Sequence, residues 1–230
     1  MSGYVEAARV LRNEQIGADV WLMELYAPKQ AAEAQVGQFC NVRVTGGTAP
    51  LLRRPISYAG FDADKGTIVL LYRVVGAGTE LMTKLTVDDT LDCLGPLGSR
   101  FEMTDHMLLV GGGVGIAPML CAVTKLEEGQ HADVLLGFRN ASETFWADLF
   151  KPYDVKVHIT TDDGSVGIKG FPTAAMPDIL ASGDFTGVLT CGPMPMMRGV
   201  VAVAKESGVP CQVSLEERMG CGTGGCLGCG

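Results

Sequence analysis

The chain has 230 residues, enough for one large domain or two small ones with a buried core. Its apolar share of 47% is too high for a disordered chain, and its 31 glycines show no three-residue period, which excludes collagen. The excess of 26 acidic over 18 basic residues gives a net charge of −8, the wrong sign for a surface that neutralises nucleic-acid phosphates.

The chain also lacks the motifs of two hydrolase classes. It has only three histidines, His106, His131 and His158, and neither H-E-x-x-H nor G-x-S-x-G occurs. We therefore expect these histidines to be ordinary surface or core residues.

One apolar stretch is long enough to cross a membrane. Residues 107–124 are 18 uncharged residues in a row. They include four glycines and Pro118, so we predict a buried strand, a glycine turn and a helix instead. The first ten residues carry Glu6 and Arg9 where a signal peptide needs an apolar core. The sequence therefore predicts a cytoplasmic protein with reduced thiols and no membrane association.

The first hundred residues are predicted to be mostly β-strands. β-branched and aromatic residues with partial alternation mark the strand candidates 20–25, 39–44 and 67–75. A short helix is predicted over 79–85. Several short strands at this spacing indicate an antiparallel barrel or sandwich.

The pattern changes after residues 95–98, where strand candidates begin to alternate with helix candidates. The strands are 107–110, 133–138, 155–160, 187–191 and finally 210–215, and the helices are 118–128, 142–150, 171–180 and 193–207. Such alternation predicts right-handed β-α-β units and a parallel sheet. The sequence thus predicts an N-terminal antiparallel β-barrel domain over 1–103, an α/β parallel-sheet domain over 104–215 and a Cys/Gly-rich segment over 216–230.

A glycine-rich turn at 111–115 follows an apolar strand and precedes a helix. Glycines allow the backbone to approach a pyrophosphate, and a helix N-terminus offers unpaired N–H donors to it. The match to G-x-G-x-x-G is imperfect, because Ile116 occupies the position of the third glycine. From the residues alone, the turn is either a nucleotide-binding loop or a tight structural turn.

Two further segments in the predicted barrel could bind a phosphate. Gly76 and Gly78 form a second glycine loop, and the adjacent Arg53 and Arg54 lie upstream of it. Two arginines could make forked contacts to a diphosphate, and Ser57 could donate a hydrogen bond to a ring nitrogen. The alternative is a solvated basic turn followed by an ordinary strand serine.

The C-terminal cysteines carry the most specific pattern. Cys221, Cys226 and Cys229 have the C-x4-C-x2-C spacing of plant-type iron–sulfur proteins. Six of the eleven residues from Gly220 to Gly230 are glycine, which frees the backbone to coil around the sulfurs. The pattern favours a 2Fe-2S cluster. Zinc, whose usual paired C-x2-C motifs are missing, and a flexible glycine tail are the alternatives.

A plant-type site needs a fourth cysteine ligand. Among the upstream thiols Cys211 is nearest, but it alternates with Val213 and Leu215 as an inward strand residue. We expect the fourth cysteine within about twenty residues beyond Cys229. Either the sequence stops before that ligand or the site is incomplete.

Five motifs in order carry a resemblance that spans essentially the whole chain. They are R-P-I-S (54–57), G-A-G-T (76–79), G-G-G-V-G-I-A-P (111–118), T-C-G-P-M-P-M (190–196) and E-R-M-x-C-G-x-G-x-C-L-G-C (217–229). Together they resemble the ferredoxin reductase superfamily, and more narrowly the electron transfer subunits of NAD-linked, B-type dihydroorotate dehydrogenases.

The resemblance implies that the barrel binds FAD and that the α/β domain binds NAD. It places Arg54 on the FAD diphosphate and Ser57 near the flavin ring. The implied FAD-binding residues are Arg54, Pro55, Ile56, Ser57, Leu71, Tyr72, Arg73, Gly78 and Thr79. The implied NAD-binding residues are Gly111, Gly112, Gly113, Gly115, Cys191 and Gly192, and the implied cluster ligands are Cys221, Cys226 and Cys229. Many relatives have a tyrosine where this chain has Ile56, so stacking on the flavin is weaker or comes from elsewhere.

The resemblance also implies a function. An FMN-containing dihydroorotate dehydrogenase catalytic subunit would oxidise dihydroorotate in pyrimidine biosynthesis, and this chain would pass the electrons through a 2Fe-2S cluster and FAD to NAD⁺. Two copies of each subunit would form a heterotetramer, and no residue of this chain would act as a catalytic acid or base. The alternatives are a subunit of an NADPH/ferredoxin bifurcating or sulfide dehydrogenase complex, a stand-alone ferredoxin or flavin reductase, and a non-enzymatic zinc-bearing scaffold.

Overall fold

A computed structural model describes residues 3–44, 47, 49–215 and 219–226. The described residues divide into two compact units. One holds those of Met1–Arg100 and Glu217–Gly230, and the other holds those of Phe101–Glu216. The first unit is built on an antiparallel barrel and the second on a parallel sheet, so the predicted fold class is confirmed.

Six strands close the barrel in the order β1-β2-β5-β4-β3-β6, with β1 hydrogen-bonded to both β2 and β6. The strands are β1 Tyr4–Gln15, β2 Val20–Tyr26, β3 Phe39–Arg43, β4 Arg54–Asp62, β5 Thr67–Arg73 and β6 Thr90–Leu97, and the helices of this unit are α1 Pro28–Glu33 and α2 Ala77–Met82. Closure leaves no unpaired sheet edge, which suits strands whose inward side chains are fully buried.

The barrel core follows the predicted alternation only in part. Cys40 and Val42 on β3 are buried as expected, but Asn41 between them is buried too. Three strands, β1, β4 and β6, were not among the candidates. Charged residues on the outward face of β1 and the Arg54–Pro55 start of β4 mask the apolar alternation that identifies a strand.

The second unit has a six-stranded parallel sheet in the order β10-β9-β8-β7-β11-β12. The strands are β7 His106–Gly112, β8 His131–Phe138, β9 Lys156–Thr161, β10 Ile168–Lys169, β11 Gly187–Cys191 and β12 Cys211–Ser214, and the α-helices are α3 Ile116–Val123, α4 Pro172–Ala181 and α5 Met194–Glu206. Leu108, Val110 and Val188 on the sheet pack against α4 and α5 in one apolar core.

The helix predicted over 142–150 is a 3₁₀ helix, Ala141–Phe150. Asn140 caps its start by accepting a hydrogen bond from the Ser142 N–H, and the Thr144 hydroxyl donates to the Ala141 carbonyl. Such local side-chain bonds compete with the i to i−4 bonds of an α-helix. Residues 107–124 form β7, a glycine turn and α3, and no helix in the described ranges is long and apolar enough to span a membrane.

Candidate functional site

The parallel sheet has a topological switch point at the carboxyl ends of β7 and β11. The chain runs outward from β7 through β8, β9 and β10 on one side and then returns to place β11 on the other side. Open α/β sheets bind ligands at this point. Gly111 at the end of β7 is paired in register with Cys191 at the end of β11, so the two sequence motifs meet at the switch point.

In the two turns after these strands, an added Cβ would clash with neighbouring atoms at three glycine positions, at two of them with backbone. A Cβ on Gly115 would lie 2.6 Å from the backbone nitrogen of Gly192, and one on Gly112 would lie 2.7 Å from the sulfur of Met196. Gly192 has φ +148° and a Cβ there would lie 2.8 Å from the Gly112 carbonyl oxygen. Gly113, at φ +58°, opens the single 3₁₀ turn that leads into α3.

This packing explains the imperfect G-x-G-x-x-G match. The third glycine of that motif allows close contact between the helix and a strand. Here Gly115, one residue earlier than expected, makes the close contact with the end of β11. Ile116 is buried against Gly111, whose added Cβ would lie 3.2 Å from the Ile116 Cα.

Two threonine hydroxyls at the same edge have no hydrogen-bond partner among the described residues. Cys191 is fully buried, and the hydroxyl of the preceding Thr190 is buried with no hydrogen-bond partner in the described part of the chain. The Thr160 hydroxyl near the end of β9 is likewise buried and has no hydrogen-bond partner among the described residues. Buried hydroxyls are usually paired, so these two fit a ligand-binding edge, and the sequence motifs did not single them out.

In the barrel, β4 and β5 bring the predicted FAD-binding segments together. Their antiparallel register pairs Tyr58 with Leu70, which places the first residues of β4, Arg54–Ser57, beside the last residues of β5, Leu71–Arg73. Pro55 is exposed, whereas Arg54, Ile56 and Ser57 are half-buried. Helix α2 begins four residues after β5, at the same end of the barrel.

Arg54 lies directly over Gly78 in the first turn of α2. A Cβ on Gly78 would lie 2.7 Å from the guanidinium carbon of Arg54, so any larger residue would displace that side chain. The Arg54 guanidinium also donates a hydrogen bond to the Leu52 carbonyl. The geometry therefore presents one arginine and a glycine backbone together, as a diphosphate site requires.

The neighbouring Arg53 makes its contacts within the barrel instead. Its Nη2 contacts both carboxylate oxygens of Asp92, at 2.9 and 3.0 Å, and its Nη1 donates to the carbonyls of Asn41 and Asp92, at 3.1 Å each. These bonds tie the residue just before β4 to strands β3 and β6. Among the residues that the structure describes, a carboxylate holds the guanidinium of Arg53 but not that of Arg54.

Two of the predicted FAD-binding side chains are engaged within the barrel. The Tyr72 hydroxyl donates to Asn13 at 3.0 Å, and burial raises the pKa of Tyr72. The Thr79 hydroxyl accepts from the N–H groups of Val75 and Gly76 and donates to the Gly76 carbonyl. The Thr79 side chain thereby holds the loop before α2 in its shape.

Two of the three predicted cluster ligands lie close together. The backbone N–H of Cys221 donates to the sulfur of Cys226 at 3.4 Å, and the N–H of Thr223 donates to the sulfur of Cys221 at 3.4 Å. Hydrogen bonds from the Thr223 side chain and backbone lower the pKa of Cys221 to about 6. Gly222 and Gly224, at φ +74° and +80°, provide the tight coil. A thiolate with N–H donors around it is the donor set that an iron–sulfur cluster needs.

Cys229 lies outside the described residues. Within the ranges that are described, no group of three His, Cys, Asp or Glu side chains could hold a metal ion. The ligand role of all three cysteines therefore stays a prediction.

The sequence matches known proteins over nearly its whole length. The family models for the oxidoreductase FAD-binding domain and the oxidoreductase NAD-binding domain match residues 7–102 and 109–202. The dihydroorotate dehydrogenase B (NAD(+)) electron transfer subunit of Fusobacterium nucleatum is 34% identical, with 98% of this chain and 88% of that protein covered. Its counterpart in Caldanaerobacter subterraneus is 38% identical, with 96% and 86% covered. The chain belongs to the family of dihydroorotate dehydrogenase B electron transfer subunits.

Solved structures agree with this family assignment. An NADH-dependent reduced ferredoxin-NADP oxidoreductase, studied for flavin-based electron bifurcation, superposes with a TM-score of 0.81 at 31% identity, covering 98% of this chain and 82% of that one. The ferredoxin reductase of carbazole 1,9a-dioxygenase shares the fold, with a TM-score of 0.78 at 21% identity, 93% of this chain and 70% of that one being covered. As predicted, this member of the electron transfer subunit family is an oxidoreductase subunit with an FAD-binding and an NAD-binding domain.

The histidines of this family member lie away from the motifs that meet at the switch point. His158 Nε2 lies 2.7 Å from one carboxylate oxygen of Asp133, and His106 Nε2 lies 3.7 Å from the other. Both histidines and Asp133 belong to the amino-terminal halves of β7, β8 and β9, whereas the glycine turns follow the carboxyl ends. Their contacts tie neighbouring strands together, which agrees with the expectation of ordinary surface or core histidines.

Proposed function

We propose that this chain is the electron transfer subunit of an NAD-dependent dihydroorotate dehydrogenase. It would accept electrons that a partner catalytic subunit removes from dihydroorotate and deliver them to NAD⁺. The observation that carries the proposal is the similarity of 34–38% identity, over nearly the whole chain, to relatives with that name. The separate FAD-binding and NAD-binding domains supply the two cofactor sites that such a subunit needs.

FAD exchanges a hydride with nicotinamide and single electrons with an iron–sulfur cluster, so it is the cofactor that can connect the two. In the proposed FAD site, Arg54 binds the diphosphate, and Gly78 leaves room for its guanidinium. Ser57 and Ile56 lie near the flavin ring, and the backbone from Leu71 to Arg73 borders it. Thr79 keeps the preceding loop in its bound shape.

In the proposed NAD site, the turn Gly111–Gly115 contacts the pyrophosphate through backbone N–H groups at the start of α3. Cys191 and Gly192 border the nicotinamide. The Thr190 hydroxyl, which has no partner within the described residues, is available to hydrogen-bond the bound dinucleotide. No residue at this edge has to remove or add a proton.

In the proposed cluster site, the thiolates of Cys221, Cys226 and Cys229 are three of the four ligands. Such thiolates require reducing surroundings, so the proposal places the protein in the cytoplasm. The partner would be an FMN-containing catalytic subunit, in an assembly of two plus two subunits. The cysteines would lie near that partner, since electrons must pass between the two chains.

The test is reconstitution with the partner subunit. The complex purified with both chains should contain FAD, iron and sulfide and should form NADH and orotate from NAD⁺ and dihydroorotate. Cys226→Ser should stop NAD⁺ reduction by dihydroorotate and leave FAD bound. Absence of orotate formation by the wild-type complex, or full coupled activity in Cys226→Ser, would contradict the proposal.

A second function has its own support. The NADH-dependent reduced ferredoxin-NADP oxidoreductase is 31% identical and superposes over 98% of this chain, which favours a subunit of an electron-bifurcating complex as the alternative. The same purified complex, assayed with reduced ferredoxin, NADH and NADP⁺, distinguishes the two. Turnover of those substrates without any activity on dihydroorotate would favour the alternative.

A further inference from the structure

We propose that Asn41 is a positioning residue for the iron–sulfur site. Its side chain would hold the cysteine loop, the described residues 219–226, against strand β3 of the barrel. This inference rests on the proposed function, in which Cys221 and Cys226 are cluster ligands. It adds a residue that none of the sequence motifs contains and that lies 180 positions from Cys221 in the sequence.

The contact is made by the side-chain amide. Asn41 is fully buried, and its Nδ2 donates a hydrogen bond to the backbone carbonyl of Cys221 at 3.4 Å. The next residue, Gly222, passes directly over the same amide. A Cβ on Gly222 would lie 2.7 Å from the Asn41 Nδ2 and 3.4 Å from a methyl carbon of Leu97. The first proposed ligand is therefore held between a hydrogen bond and a close packing contact.

Barrel packing alone does not explain an asparagine at this position. Its neighbours on β3, Cys40 and Val42, are small or apolar and fully buried. The Asn41 Oδ1 is buried and accepts no hydrogen bond from the described residues. A buried, half-paired amide lowers stability relative to an apolar residue of similar size. Its Nδ2 bond to the cysteine loop is the contact that an apolar residue could not make.

Asn41 also joins the loop to the proposed FAD site. Strand β3 pairs with β4 so that Asn41 lies opposite Pro55, in the R-P-I-S motif. The Asn41 carbonyl accepts a hydrogen bond from Arg53 Nη1 at 3.1 Å. The backbone of Asn41 is thus paired with β4, and its side chain is hydrogen-bonded to Cys221. This arrangement fixes the position of that cysteine relative to β4.

Two variants break the contact from opposite sides. Asn41→Asp keeps the shape of the side chain and removes the N–H donor, and Gly222→Ala pushes the loop away from Asn41. Each has a matched control. Gln30→Glu removes another fully buried amide donor of the barrel, which binds the Cys93 carbonyl at 3.0 Å. Gly224→Ala changes a loop glycine that also has a positive φ, +80°, but whose Cβ would meet nothing within 4 Å.

The measurement uses the complex with its partner subunit. We compare the variants with wild type in their iron and sulfide content per FAD and in the rate at which they lose the cluster to a chelator. The midpoint potential and the electron paramagnetic resonance spectrum of the cluster are also compared. We expect Asn41→Asp and Gly222→Ala to lose the cluster about tenfold faster, the factor that corresponds to one hydrogen bond, with an altered potential or spectrum and normal FAD content. Gln30→Glu should match wild type. Gly224→Ala shares the backbone strain of a positive φ but not the contact with Asn41, so it should lose the cluster more slowly than Gly222→Ala. The double variant should be no worse than the more affected single variant.

The outcomes separate the two proposals. If the wild-type complex contains no iron and sulfide, the proposed cluster itself is wrong. If the wild type holds a cluster but both test variants keep its stability, potential and spectrum, the role of Asn41 is wrong. Equal losses in the controls would also overturn it, because they would show a general effect of barrel or loop damage. Should Asn41→Asp fail to fold, Gly222→Ala still decides, since its change lies outside the barrel strands.

Discussion

The contact between Arg54 and Gly78 makes a prediction about FAD affinity. Gly78→Ala adds a methyl group whose carbon would lie 2.7 Å from the Arg54 guanidinium carbon, well inside van der Waals contact. The arginine must rotate away from α2, and the diphosphate then loses its charged hydrogen-bond donor. Such a bond contributes about 1.5–3 kcal/mol, so the dissociation constant of FAD should rise about ten- to a hundredfold.

Gly76→Ala is the matched control for this change. Gly76 lies in the same loop in an extended backbone conformation, φ 173°, and an added Cβ would meet nothing within 4 Å. Its FAD affinity should equal that of the wild type. The assay is fluorescence titration of the flavin-free chain with FAD, supported by calorimetry.

A double-mutant cycle tests the physical cause. If Gly78→Ala acts by displacing Arg54, it should have little further effect in an Arg54→Ala background, because the displaced group is already absent. An undiminished effect of Gly78→Ala in that background would refute the reasoning. Equal losses of affinity in Gly76→Ala and Gly78→Ala would refute it as well.

Three further predictions concern other parts of the chain. Arg53→Ala should lower the free energy of unfolding by about 1–3 kcal/mol and retain FAD affinity. Arg54→Ala should weaken FAD binding and retain the free energy of unfolding. Thermal unfolding and FAD titration measure the two effects. Gly115→Ala should reduce NADH oxidation with an artificial electron acceptor by about a hundredfold while FAD stays bound, because backbone rather than a flexible side chain must move. In the cluster-free chain at pH 7, alkylation followed by mass spectrometry should find Cys221, with a pKa of about 6, modified, and that reaction should slow below pH 6. Cys121, whose pKa burial raises to about 12, should stay unmodified.

Most of the fold could be predicted because hydrophobic periodicity is a local property. The change from short strands to strands that alternate with helices separated the barrel from the parallel sheet, and the glycine turn after β7 was placed correctly. The strands that escaped prediction, such as β1, carry charges on the face that points out of the barrel. Only closure of the barrel reveals that their other face is buried.

Parts of the site depended on distant partners and could not be predicted from spacing. By residue type alone Arg53 and Arg54 are equivalent, and only the resemblance singled out Arg54. The approach of Asp92 from β6 gives the physical reason for their different contacts. The missing third glycine seemed to weaken the nucleotide motif, because the contact of Gly115 with the end of β11 is not a local property. Asn41 was passed over for the same reason, since its partner lies at the other end of the chain.

The tight junction of the two turns after β7 and β11 has a consequence for folding. The halves of the proposed NAD site are made far apart along the chain, and the second half exists only after β11 has joined the sheet beside β7. A partly folded chain that lacks this last pairing cannot bind the dinucleotide. NAD therefore stabilises only the completed sheet by mass action, and its binding can serve as a signal that the domain has finished folding.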